Sequence, residues 1–246
     1  LFGPVPKVVW SRYYPTNDAN MMSELTDPIL IQYQGKNYLI DASFDTDKLS
    51  DKQRRNLGIL SDSRIEESLE LLGLTPEKID YVLMTHMHHD HSGGLTRVDS
   101  TGNLVSKFPN AKIIVNDVEW YEMRNPNNRT RGTYLKENWE PIQDQVTTFS
   151  DSIDIIPEIQ MVHTSGHSNG HCIILLKQGE DTMIHMGDLM LTHVHRNPLW
   201  VPAVDDYPMK SISAKDKWLR QAFENNYKFF FYHDQFFAVA EFDKEG

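Results

Sequence analysis

At 246 residues with a formal net charge of −11, the chain can bury a sizeable core but has the wrong sign for a nucleic-acid partner, since polyanion binders need a basic face. Its single cysteine, Cys172, rules out an internal disulfide and a thiolate metal cage. No apolar run approaches the ~18 residues that would span a membrane and no signal peptide is visible, so a soluble cytoplasmic protein is the default expectation.

The chain begins at Leu1 without an initiator methionine, which leads us to expect a segment missing upstream. Residues 1 to about 25 read as an arm, extended at its start by Pro4 and Pro6. Two uses suit its Phe2 and Trp10: packing on the arm's own domain, or forming a homodimer contact or a wall of a substrate pocket. The apolar stretches 28–33 and 36–41 flank Gln34-Gly35 and predict a hairpin. Asp41 then sits at a strand end, either as a hydrogen-bond partner for a metal-bound histidine or as a solvated loop carboxylate.

Ile65, Leu69 and Leu72 predict a helix over 63–72, capped by Ser61 or Asp62 and stopped by Gly73. Thr75-Pro76-Glu77 opens a further helical turn, and Tyr81-Val82-Leu83-Met84 reads as a buried strand. A strand over 112–115 leads into a helix capped by Asn116 that runs through Glu119, Trp120 and Met123; 125–132 reads as a loop. Four strands follow at 153–156, 159–163, 171–177 and 182–186, with a turn at 178–181 and Cys172 as a core residue. A helix over 213–225 places Trp218, Leu219, Ala222 and Phe223 on one face, with Asp216 suited to a capping box. The final strand, 228–232, delivers His233-Asp234. Two strand-rich halves separated by helices predict a single α+β (α/β) domain over 1–246, built from two packed sheets with helices outside.

The chemistry is concentrated in Thr85-His86-Met87-His88-His89-Asp90-His91-Ser92-Gly93-Gly94. A strand end holds imidazoles rigidly, and the loop after it lets them converge. Neutral imidazole is the commonest ligand for zinc-like ions, and a carboxylate is the natural partner for a second ion. All eleven histidines lie between His86 and His233, which points to a shared task. His167 follows a strand in Ser165-Gly166-His167, where glycine lets the backbone approach a metal closely. His171 opens the next strand as a second ligand or as a hydrogen-bonding group. Asp188, at a strand end in Met186-Gly187-Asp188, can bridge two cations where an imidazole cannot. His233 closes the last strand in the same manner.

The set His86-x-His88-x-Asp90-His91, Gly166-His167, Asp188 and His233 resembles the metallo-β-lactamase superfamily over most of the chain. The resemblance implies an αββα four-layer sandwich with two divalent ions, expected to be Zn²⁺. His86, His88 and His167 would hold one ion and Asp90, His91 and His233 the other, with Asp188 bridging. Histidine at 88, where the oxygen-reducing di-iron branch has glutamate, favours zinc-like hydrolysis; Asp188, where the lactam-cleaving branch has cysteine, favours a two-metal hydrolase. Trp10-Ser11-Arg12-Tyr13-Tyr14-Pro15, Tyr33-Gln34-Gly35-Lys36-Asn37, Asn197-Pro198-Leu199-Trp200 and Asp205-Asp206-Tyr207-Pro208 are similar to quorum-quenching lactonases of the YtnP type. That likeness implies a small-molecule substrate, an N-acyl-homoserine lactone whose ring is opened. The layout is also similar to methyl parathion hydrolase, so a phosphotriesterase or general ester hydrolase is the alternative. A metal-binding scaffold without catalysis is the reading from a different class.

The implied catalytic groups are Asp188, as the bridge, and Asp90, as the proton shuttle to the leaving alkoxide. Paired ions lower the pKa of bound water from ~15.7 toward ~7. The smaller homoserine-lactone lactonases carry a substrate-contacting tyrosine where this chain has Leu191; that role is open to His193, to His195 or to neither. Phe44, Met87, Met190, Trp200, Phe236 and Phe237 suit either an apolar substrate groove or core packing.

Overall fold

A computed structural model describes residues 1–243; the last three residues of the expected domain lie outside the described residues. The chain divides into two compact units, Leu1–Asp27 with Ser150–Gly246, and Pro28–Phe149.

The N-terminal arm is not extended throughout. Pro6, at φ −60°, stands at the N-cap of a single helical turn, α1 (Lys7–Trp10), because proline's fixed φ suits the start of a helix. Phe2 is buried, stacks on Trp10 at 4.9 Å and on His195 at 4.8 Å, and forms a small core with Tyr14 and Val194. The arm therefore packs within its own unit.

The unit Pro28–Phe149 opens with the expected hairpin, β1 (Ile29–Tyr33) and β2 (Lys36–Ile40). Gln34 and Gly35 both take positive φ there, as a tight two-residue turn requires. A helix absent from the sequence reading follows, α2 (Asp51–Leu57), with a Ser50/Gln53 capping box and Gly58 in the left-handed region at its end. Helix α3 (Ile65–Leu71) is not capped by Ser61 or Asp62: Arg64 stands at its N-cap without a side-chain cap bond. Asp62 is instead taken up by Arg54 and by the Thr46 hydroxyl. Gly73, at φ +69°, ends the helical segment as expected.

Then come β3 (Tyr81–Leu83), α4 (His89–Ser92), a hairpin of β4 (Thr96–Val98) and β5 (Leu104–Ser106), β6 (Lys112–Asn116), α5 (Asp117–Arg124) and β7 (Val146–Phe149). Asn116 caps α5 through Val118 N–H. The sheet runs β1-β2-β3-β6-β7, parallel from β2 onward. Leu39, Val82, Ile113 and Val115 project from it into a core with Ile65 and Leu69 of α3 and Trp120 and Met123 of α5. Met87 packs in this core. Because β2 and β3 are parallel with Ile40 opposite Leu83, the residues following each strand leave the sheet at the same edge. Asp41 is thereby delivered beside Thr85.

The other unit carries β8 (Ser152–Ile156), β9 (Ile159–His163), β10 (Cys172–Gln178), β11 (Asp181–His185), α6 (Pro208–Glu224), β12 (Lys228–Phe230) and β13 (Val239–Ala240). Strands β8 to β11 fall within a residue of their expected ends. Their sheet order is β13-β12-β11-β10-β9-β8. Helix α6 starts at Pro208, five residues before the expected Ser213, because proline is preorganised for a first helical position. Asp216 thus lies inside the helix and forms no capping box. Trp218, Leu219 and Ala222 pack on Ile173, Leu175, Ile184 and Phe229, and Met190 joins this core. Cys172 is buried, as expected of a core residue, and forms no disulfide among the described residues. The C-terminal ends of β9, β11 and β12 share one edge, since β9 and β11 both run antiparallel to β10 and β12 runs parallel to β11. Among the described residues no helix is long and apolar enough to cross a membrane.

Lys215 of α6 is fully buried and donates to the carbonyl oxygens of Asn197 (3.0 Å) and Trp200 (2.8 Å). Burial pushes its ammonium down to about 7, with Asp205 pulling back upward. Between that value and the ordinary 10.5 the unfolded chain binds a proton that the folded chain releases, so this group makes stability rise with pH across the window. Lys215→Met should flatten the pH dependence of unfolding between pH 7 and 10, removing a slope of at most ~1.4 kcal/mol per pH unit. Chemical denaturation of both proteins at several pH values measures this.

Candidate metal centre

In Pro28–Phe149 the site begins where β3 ends. His86 lies 4.5 Å from His88 and 4.1 Å from His91 between ring centroids, so the motif's three imidazoles gather at one place. Asp90 Oδ2 approaches His91 Nε2 at 3.8 Å, and Asp90 keeps 24% of its side chain exposed while His91 is buried. The motif loop is braced from beneath. Buried Glu119 accepts from Met87 N–H (2.8 Å) and from Tyr134 Oη–H (2.9 Å). Ser92 Oγ donates to the Met87 and His88 carbonyls. Gly94 packs so tightly that a Cβ there would meet the Ala42 carbonyl oxygen at 1.9 Å, and this glycine is what permits the close backbone approach.

Asp41 organises this cluster. Its Oδ1 accepts from Thr85 N–H (2.8 Å), and its Oδ2 accepts from Thr85 Oγ1–H (2.7 Å) and His91 Nδ1 (2.8 Å). With the Thr85 hydroxyl proton directed to Asp41, His86 Nδ1 at 3.1 Å is the donor to Thr85 Oγ1. One fully buried carboxylate therefore sets the ring orientation of two histidines, and the solvated-loop reading of Asp41 is discarded.

In the other unit the loop after β9 carries His167. Gly166 has φ +109°, and a Cβ on it would press on Ser211 of α6 at 2.7–2.9 Å. His167 Nδ1 donates to Asp205 Oδ1 at 2.8 Å. Asp188, following β11, is held by a hydrogen bond from its N–H to His171 Nε2 (3.1 Å), whose Nδ1 meets Thr164 Oγ1 at 2.9 Å. His171 thus serves as a hydrogen-bonding group. His233, following β12, has its Nδ1 2.7 Å from the Leu25 carbonyl. The Asp188 carboxylate lies between two imidazoles, Oδ2 at 3.2 Å from His167 Nε2 and Oδ1 at 3.2 Å from His233 Nε2.

The donor chemistry fits divalent cations. A carboxylate or carbonyl oxygen only accepts, so Nδ1 carries the proton in His91, His167 and His233 and the lone pair sits on Nε2. In His167 and His233 that lone pair faces a carboxylate oxygen. Two acceptors at 3.2 Å repel unless a cation joins them or the ring takes a second proton. All seven expected ligands are present as His or Asp groups able to hold a metal.

Sequence reasoning missed Asp205, Thr85 and Glu119 as supporting groups. Asp205 falls within the stretch Asp205-Asp206-Tyr207-Pro208, and its partner His167 lies 38 positions away, beyond the reach of local spacing. Phe44 meets His89 edge-on at 5.4 Å, and Trp200 packs against the Phe2 core. Phe236 and Phe237 remain about half exposed. His195 is buried under Phe2, and burial pushes its imidazole down to about 3.

Comparison with known proteins places these clusters in a family. Residues 25–232 match the Metallo-beta-lactamase superfamily, a span that includes every candidate ligand except His233. An N-acyl homoserine lactonase of Bacillus cereus is 29% identical over 123 residues, 50% of this chain and 43% of that protein. The chain thus spans less than half the length of the curated lactonases it matches. A Staphylococcus aureus protein described as a probable metal-dependent hydrolase is 42% identical, with a TM-score of 0.95 over 99% of this chain and 87% of its own. The dizinc quorum-quenching lactonase AidC, solved with a product, aligns at a TM-score of 0.74 and 18% identity over 89% of this chain and 76% of its own; at that identity the likeness concerns the fold alone. Helix-flanked sheets, histidine and aspartate clusters at strand ends and a family match over most of the length lead to one conclusion: the chain belongs to the metallo-β-lactamase superfamily and has its fold.

Proposed function

We propose that the chain is a metal-dependent hydrolase, acting as one domain, that opens the lactone ring of N-acyl homoserine lactones and so quenches quorum signals. His86, His88 and His167 would hold one Zn²⁺; Asp90, His91 and His233 would hold a second, with Asp188 shared by both. The carrying observation is the Asp188 carboxylate, which presents one oxygen to each of two Nε2 atoms at 3.2 Å. Bound divalent ions supply Lewis acidity toward the carbonyl and acidify a water. Asp41 and Asp205 hold His91 and His167 in one tautomer through Nδ1. Asp90, the partly exposed carboxylate of the set, carries a proton to the leaving oxygen. Ring opening keeps both product halves in one molecule, so prompt protonation prevents reclosure. The curated lactonase relatives support this choice of substrate.

The test is a panel of N-acyl homoserine lactones and aryl phosphotriesters given to zinc-reconstituted protein, read as initial rates. We expect kcat/KM for the lactones to exceed that for the phosphotriesters. Turnover of phosphotriesters with none of lactones would replace this reading with the phosphotriesterase one.

A further inference from the structure

Nδ1 of His91 lies 2.8 Å from Asp41, that of His167 2.8 Å from Asp205, and that of His193 2.6 Å from Asp234. The first two pairs orient candidate metal ligands. The third has no role in the metal-binding set, yet it is built with the same care. Asp234 immediately follows His233, and its side chain is fully buried. Its Oδ2 accepts from His193 N–H (2.7 Å) as well as Nδ1, and its Oδ1 accepts from the N–H groups of Phe236 (2.9 Å) and Phe237 (3.3 Å). One carboxylate thus fixes an imidazole and the loop bearing two exposed rings. The His193 ring stands edge-on to Phe237 at 4.8 Å and to Phe236 at 6.4 Å. Because Asp234 only accepts, the proton of neutral His193 is on Nδ1 and Nε2 is an acceptor. The side chain is 19% exposed, and Nε2 makes no hydrogen bond among the described residues.

An acceptor on a partly exposed imidazole, beside two half-exposed phenyl rings, matches an amide N–H attached to an alkyl chain. A simple N-acyl homoserine lactone has one hydrogen-bond donor, that amide N–H. We propose that His193 Nε2 accepts the substrate's amide N–H while Phe236 and Phe237 lie along its acyl chain. This rests on the lactonase reading and adds the basis for choosing amide-bearing lactones. A site built around such a donor discriminates against analogues that lack it.

The experiment compares zinc-reconstituted wild type, His193→Asn and His193→Gln on N-hexanoyl homoserine lactone and on γ-hexalactone, a related lactone without an amide. Asparagine can keep the Asp234 contact and lose the Nε2 acceptor; glutamine places an oxygen near the Nε2 position. His193→Asn should lower kcat/KM for the amide lactone about tenfold, mainly through KM, the size of one lost hydrogen bond. γ-Hexalactone turnover and metal content should stay unchanged, and His193→Gln should recover most of the loss. An unchanged ratio between the two lactones in His193→Asn would overturn the proposal, as would recovery by asparagine instead of glutamine. If wild type opens neither lactone, the lactonase reading fails separately, and calorimetric binding of ring-opened N-hexanoyl homoserine decides the role of His193. Tenfold weaker binding by His193→Asn would support it; equal binding or none would overturn it.

Discussion

Asp188→Ala should lose bound metal and turnover together. Its carboxylate approaches the Nε2 atoms of both His167 and His233, and alanine leaves those imidazoles without an anion to share a cation. Elemental analysis should fall from about two ions per chain to one or fewer, with kcat/KM down by ~10³ or more, since metal stabilisation of transition-state charge is worth several kcal/mol. The fold should survive, because the position is held through its backbone, whose N–H bonds His171 Nε2. Circular dichroism and the apo melting temperature check that separately. Asp188→Asn is the sharper control: similar in size, able to coordinate through one oxygen, and uncharged. It should keep part of the metal and little of the activity. A metal-free Asp188→Ala protein with full activity would end the two-metal reading.

Legibility from sequence followed the kind of signal each element leaves. The strands of the second sheet were readable because apolar runs ended at turn residues, and the candidate ligands because each follows such a run. Helix α2 left no apolar trace: none of its residues is buried, so no hydrophobic periodicity exists to find, and only its Ser50/Gln53 capping box marked it. The start of α6 was misplaced because apolar periodicity outweighed Pro208, a stronger marker of a first turn. Asp205, Thr85 and Glu119 act through tertiary contacts, which local spacing does not encode. Asp41 was legible as one of two alternatives, and the parallel register of β2 with β3 decided between them.

Asp41→Asn should weaken metal binding by ~10–100-fold, the usual cost of losing a hydrogen-bond partner behind a metal ligand. The substitution is nearly isosteric, and Asp41 sits at φ +54°, a region asparagine tolerates well, so the backbone need not move. The asparagine oxygen can still accept from Thr85 N–H in place of Oδ1. Its NH₂ then occupies the position of Oδ2 and faces two groups that donated to it, Thr85 Oγ1 (2.7 Å) and His91 Nδ1 (2.8 Å). Thr85 can rotate its hydroxyl and accept; His91 Nδ1–H cannot, so the ring must move or change tautomer and give up Nε2 as its ligating atom. The turned Thr85 hydroxyl also disturbs the donor from His86 Nδ1. Both ions would therefore be affected, the one held by His91 more strongly. Competition against a chromophoric zinc chelator measures the affinities. The melting temperature of the apo protein measures the separate cost of the disrupted buried bonds, ~1–3 kcal/mol. Wild-type zinc affinity in Asp41→Asn, with only the melting temperature lowered, would reduce Asp41 to a structural group and remove its link to His91 as a ligand.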